Sequence, residues 1–144
     1  MKYALSGIVV LLVLGVGAFA YLGEQSRQGT APGLVNGQLA PCPSSPNCVS
    51  SEAGTPEDKR VDPLPADSWT KLPAMIESMG GTVTQQSDSY IAAQFTSDTF
   101  GFVDDVEFQR TPDAVEVRSG SRVGYSDAGV NRDRINAMRE KLGG

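Results

Sequence analysis

The side chains best equipped for chemistry crowd the last third of the chain. Asp104 sits in FGFVDDVEF, and Ser119, Ser121, Arg122, Tyr125, Asp127, Asn131, Arg132 and Arg134 follow within RSGSRVGYSDAGVNRDRI. In an extended strand, side chains alternate between faces, so Asp104 shares the side of Phe102, Val106 and Phe108. A carboxylate on an apolar face needs partners, because unpaired burial is costly or drives the group to protonate. The nearest partners are the hydroxyls of Ser119 and Ser121, the Arg122 guanidinium and the free amides opening the next helix. Two readings follow. In one, Asp104, Ser121, Arg122, Tyr125, Asp127, Asn131 and Arg132 line a pocket in which a helix start and one or two arginines hold a carboxylate or phosphate ligand. In the other, the same residues form a buried arginine-carboxylate and capping network that fixes the loop to the sheet.

Composition narrows the chemistry further. The 144-residue chain contains no histidine, which removes the commonest general base and metal ligand together with Ser-His and Cys-His nucleophile pairs. No residue is assigned a catalytic role; Asp104 and Asp127 form the one acid-base pair a small enzyme could use here. Alternation sends Asp104 to the opposite face from Asp105 and Glu107, so these carboxylates do not make a cation cage, and neither metal nor cofactor is expected. A net charge of −5 without any basic block argues against nucleic acid as a partner.

The elements that must position these groups can be read from the N-terminus. Ala4 to Leu22 carries no charge and follows Lys2, which marks residues 1–22 as a transmembrane anchor or a signal peptide with Ala18 and Ala20 at its cleavage site. Lys2 favours the cytoplasmic side, so the domain is expected outward, in the periplasm, held by a single-pass anchor in the cytoplasmic membrane. Cleavage of the segment makes the domain a periplasmic or secreted protein instead. Residues 23–40, rich in Gly, Gln, Ser and Ala, read as a flexible tether. Residues 41–66 read as a proline-rich loop and connection without regular pairing, closed by a Cys42–Cys48 disulfide.

Residues 67–144 carry the periodic patterns. Trp69, Leu72, Met75, Ile76 and Met79 share one face of a helix for which Asp67 or Ser68 can cap the start, and Gly80-Gly81 stops it. Strands follow at Thr82 to Gln86, Ser89 to Thr96 and Phe102 to Arg110, then one containing Val115 and Val117. Pairing outward from a turn at Pro112-Asp113 sets Phe108 against Val117, Glu107 against Arg118 and Asp104 against Ser121. The other face of the third strand, with Asp105, Glu107 and Gln109, reads as mostly solvent-exposed. Asp127 can cap a last helix with Ile135, Met138 and Leu142 inward. The expected fold is α+β: a four-stranded antiparallel sheet with two helices packed on one face, preceded by an N-terminal hydrophobic helix.

PCPSSPNCVSS, FGFVDDVEF and RSGSRVGYSDAGVNRDRI together resemble the domain of unknown function 1499 family, over Pro41 to Leu142. The resemblance implies a bacterial or plastid type of protein, often with hydrophobic segments before the domain, and brings no activity, cofactor or catalytic residue with it. The expected function is a non-enzymatic binding or assembly module. Its partners are the membrane, through an uncleaved helix, and an envelope protein or small anionic ligand. The alternative is a small enzyme using carboxylate and arginine chemistry on an anionic substrate.

Overall fold

The computed structural model describes residues 2–143. Its first helix, α1 (Lys2–Arg27), carries the charge-free run and is long and apolar enough over Gly7–Arg27 to cross a membrane. A short hairpin follows, β1 (Leu34–Val35) and β2 (Gln38–Leu39), turned by Asn36 and Gly37, both at positive φ. Asn-Gly takes that conformation readily, and it matches the twist of paired strands. Next come β3 (Cys48–Ser50), a 3₁₀ turn at Glu57–Lys59, β4 (Leu64–Pro65) and a second 3₁₀ turn, Ala66–Lys71. That turn runs into α2 (Leu72–Ser78), and β5 (Thr82–Gln86), β6 (Tyr90–Thr96), β7 (Val103–Arg110), β8 (Ala114–Ser121) and α3 (Val130–Lys141) complete the chain.

The main sheet is antiparallel with six strands, in the order β3-β8-β7-β6-β5, with β4 also paired to β8. The four strands expected from periodicity are all present, and the expected count is corrected by two that come from the proline-rich segment. Proline removes a donor only at its own position. Pro41, Pro43 and Pro46 precede β3, leaving Cys48, Val49 and Ser50 free to pair with Gly120, Ser119 and Arg118. Pro65 lies in a two-residue edge strand, where a missing amide is tolerated. The β7–β8 register is the one that pairing outward from Pro112-Asp113 requires: Glu107 faces Arg118, Phe108 faces Val117 and Asp104 faces Ser121.

One face of the sheet presents Ile91, Ala93, Val106, Phe108, Val115 and Val117, and both helices lie across it through Leu72 and Ile76 of α2 and Ile135 and Met138 of α3. Trp69 and Met75 belong to the same core, with Met79 at its margin. The start of α2 differs from expectation. Ser68 donates to the Pro65 carbonyl and Asp67 pairs with Lys71, so neither caps the helix, and Pro73 sits in its first turn.

The opposite face is not the solvated surface that alternation alone implies. Asp105 and Glu107 are 3% and 0% exposed. The cover is the stretch expected to be a flexible tether. Ser26 is buried at the end of α1, Leu39 packs on Tyr90 and Ala92, the Gly33 amide donates to Glu107 at 2.7 Å, and Gln109 donates to the Gly37 carbonyl at 2.6 Å. Polar strand residues here satisfy a folded-back backbone, which is why the period of two was present while its solvent interpretation failed.

Candidate functional site

The inner network starts from the β7–β8 register. Asp104 and Ser121 are cross-strand neighbours, and the Ser121 hydroxyl donates to Asp104 Oδ1 at 2.6 Å. α3 brings Arg134 to the other oxygen, Oδ2, at 2.8 Å. The same guanidinium donates to Asn131 Oδ1 at 2.8 Å and lies over the Phe95 ring, 4.6 Å from its centre. Asn131 is fully buried, accepts from Ser119 at 2.6 Å, and donates through Nδ2 to Ser121, to Asp127 and to the Asn47 carbonyl. Asp127 also takes the backbone amides of Gly129 and Asn131, so it caps α3 as expected although Gly129 is the residue at the helix boundary. Burial pushes the Asp127 carboxyl up, but the Asn131 amide, the Asn131 side chain and the Gly129 amide outweigh it and hold it below its ordinary value.

The remaining members of the sequence-derived set go elsewhere. Arg122 follows Ser121, so alternation turns it to the opposite face, where it grips Asp105 with Nε at 2.8 Å and Nη2 at 2.7 Å and donates to the Ser26 carbonyl at 3.1 Å. Its proton is held more firmly than in a free arginine, chiefly through the Asp105 hydrogen bonds, against the opposing effect of burial. Arg132 donates to the carbonyls of Asp58 and Arg60. Tyr125 is 76% exposed. The structure therefore joins Asp104, Ser121, Asp127 and Asn131 in one hydrogen-bond network, directs Arg122 and Arg132 to other partners, and leaves Tyr125 exposed beside the network.

Two features escaped sequence reasoning. The first is the burial of Glu107 on the covered face and its further partners: besides Arg118, the expected neighbour, which donates to it at 3.1 Å, Glu107 receives the Tyr90 hydroxyl at 2.7 Å and the Gly33 amide. Burial, followed by the Glu107 hydrogen bond and charge, raises the Tyr90 pKa well above the ordinary phenol value. Leu34, Val35 and Leu39 around an Asn-Gly turn were the available signal for the hairpin that covers this face.

The second is a groove of about 440 Å³. Phe19 and Leu22 of α1 form one wall, and Phe102, Val123, Tyr125 and Val130 line the domain side, while Asp104 and Ser121 lie at its polar part. Phe19 stacks on Phe100 at 5.4 Å and meets Phe102 edge-on at 6.2 Å, which joins the helix to the domain here. Hydrophobic positions in a targeting segment gave no indication of a tertiary role.

Residues 38–142 match the family model described as Protein of unknown function (DUF1499). The chain belongs to this family. No curated protein and no solved structure matches it. The DUF1499 match opens at Gln38 in β2, so it contains the whole six-stranded sheet, α2 and α3, and the Cys42–Cys48 disulfide, which is formed. The α1 wall of the groove precedes the match. An apolar N-terminal helix followed by a domain with an intramolecular disulfide fits a membrane-anchored or exported DUF1499 protein.

Proposed function

We propose that this chain is a membrane-anchored, non-enzymatic binding module, with its domain on the periplasmic side of the cytoplasmic membrane and its ligand in the groove between α1 and the Arg122–Val130 loop. The observation that carries this reading is the saturation of the charged groups at the groove. Asp104 gives one oxygen to Ser121 and the other to Arg134, and Asp127 gives both of its oxygens to the start of α3. A general acid or base must present its proton or lone pair to a substrate, and these carboxylates present theirs to the fold. The same holds for an anionic ligand. Arg122, Arg132 and Arg134 all have acceptors within the protein, which moves the binding surface from the arginines to the apolar walls.

Anchoring is supported by Phe19, which lies before the Ala20 cleavage position and yet packs on Phe100 and Phe102. The outward orientation is supported by Lys2 ahead of the helix and by a disulfide that persists in an oxidising compartment.

The test is thermal unfolding of the full chain in nanodiscs against a panel of apolar amphiphiles, small carboxylates and phosphates. The expected result is stabilisation by amphiphiles that disappears in a folded Val130→Trp variant, whose indole fills the groove. Stabilisation that survives Val130→Trp, or turnover of a panel compound that Asp104→Asn stops, overturns the reading.

A further inference from the structure

The groove is built from two parts of the molecule that meet different solvents. Its domain wall carries Phe102, Val123, Tyr125 and Val130, and its other wall is Phe19 and Leu22 of the candidate membrane helix. At 1.5 Å rise per residue, Leu22 lies about 27 Å along the helix from Ala4, where the apolar run begins, against a hydrocarbon core of about 30 Å. If α1 crosses the bilayer, both Phe19 and Leu22 stand at the outer edge of the hydrocarbon, and the groove opens there.

The two walls are held at a fixed angle. The Ser26 hydroxyl accepts from the Val103 amide at 2.7 Å and donates to the Val103 carbonyl at 3.3 Å, so the end of the helix itself bonds the first residue of β7. Arg122 reaches the Ser26 carbonyl at 3.1 Å, and Arg27 reaches that of Phe100 at 3.4 Å. The domain is thereby seated on the end of α1, and its groove cannot swing away from the membrane without breaking these contacts.

Exposure points to the same occupant. Outside α1, the large hydrophobic side chains exposed among the described residues are Leu34, Val35, Tyr125 and Val130, and the last two border this groove. Tyrosine with an apolar ring and a polar tip is enriched at the bilayer surface. Asp104 and Ser121 are satisfied by one another and by Arg134 and Asn131, so an apolar chain lying beside them leaves no hydrogen bond broken.

We propose that the groove takes an acyl chain of a lipid from the leaflet that surrounds the end of α1, so that the domain holds a lipid partly withdrawn from the bilayer. This rests on the groove being the binding site. The lipid is selected by its chain and by proximity, and the arginines take no part.

The test uses the full chain in phosphatidylcholine vesicles doped with a phosphatidylcholine that carries a diazirine on one acyl chain. After illumination, adducts are mapped by peptide mass spectrometry. The expected result is labelling of Phe102, Val123 and Val130 in addition to α1. Val130→Trp should abolish the labels on Phe102 and Val123 and leave those on residues 8–16 of α1, away from the groove, unchanged; Val123→Asp, which places a charge on the partly exposed groove wall, should abolish those on Phe102 and Val130 in the same way. Labels confined to α1 in a folded protein overturn the lipid assignment. If a free amphiphile then still stabilises the wild type and not Val130→Trp, the groove binds a ligand from another source and the binding reading stands. With neither labelling nor stabilisation, both fall.

Discussion

Arg122 and Asp105 are joined by two parallel hydrogen bonds, 2.8 and 2.7 Å, on the face of the sheet that α1 and the hairpin cover. Asp105 is almost wholly buried and its partner side chain is 10% exposed. Breaking such a pair from one side strands a charge, which costs about 3 to 5 kcal/mol. Arg122→Ala should therefore lower stability by about that amount in denaturant unfolding, far more than an exposed arginine is worth. The double variant Arg122→Leu with Asp105→Asn should recover part of the loss. A loss under about 1 kcal/mol in the single variant would show that the pair is solvated and that α1 is not held through it.

Cys42 and Cys48 close a short loop just ahead of β3, and Cys48 is buried at the start of that strand. Loop-closure entropy for so short a ring is worth about 2 kcal/mol. Cys42→Ser should lose about that much stability, and dithiothreitol should destabilise the wild type to a similar extent without affecting the variant. Equal sensitivity of the two proteins to reductant would place the effect elsewhere.

How much of this was legible in the sequence depends on which forces act locally. The β7–β8 register was legible because it follows from a turn and from alternation, and Asp104 with Ser121 came with it. The division of the arginines was not. Arg122 was the arginine expected at Asp104, but Arg134 reaches it instead, because strand alternation past Ser121 turns Arg122 to Asp105 and α3 docks with Arg134 beside Asp104. The burial of Asp105 and Glu107 was also hidden, because a polar strand face looks the same whether water or a backbone satisfies it. Four glycines (Gly23, Gly29, Gly33 and Gly37) and scattered polar residues gave residues 23–40 the composition of a linker, while their order comes from long-range contacts such as Leu39 on Tyr90.

Stability should fall at both ends of the pH scale for separate reasons. The folded-state pKa of Asp127 is depressed, so its contribution is present above the unfolded carboxyl value and is lost as pH falls through the folded one. Asp127→Asn should be less stable at neutral pH and show a weaker acid dependence. Tyr90 is the reverse: its folded pKa is raised, so its contribution is complete below the ordinary phenol value and is lost as pH rises above that value toward the folded one. Tyr90→Phe should flatten the alkaline limb alone. Urea midpoints across the pH range measure both slopes, and an unchanged alkaline limb in Tyr90→Phe would remove Tyr90 from the Glu107 network.

Gly23 sets two effects against each other. Within a helix, alanine is favoured over glycine by about 1 kcal/mol, so Gly23→Ala should stabilise α1 taken alone. In this fold Gly23 is packed on the Phe100 carbonyl, and an added Cβ would stand 1.9 Å from that oxygen, a distance that forces helix and loop apart. Undocking also pulls on Ser26, whose hydroxyl bonds Val103. The second effect should win, with helix content by circular dichroism held or raised while the peptide bond after Arg27 becomes accessible to trypsin. Cleavage of a locally opened segment follows the open population, so each 1.4 kcal/mol of docking lost raises the rate about tenfold. Gly15→Ala is the control, since nothing lies within 4 Å of the Cβ it would add. Equal cleavage rates in wild type and Gly23→Ala would mean that α1 and the domain move independently. The groove would then have no fixed second wall, and the lipid assignment would fail with it.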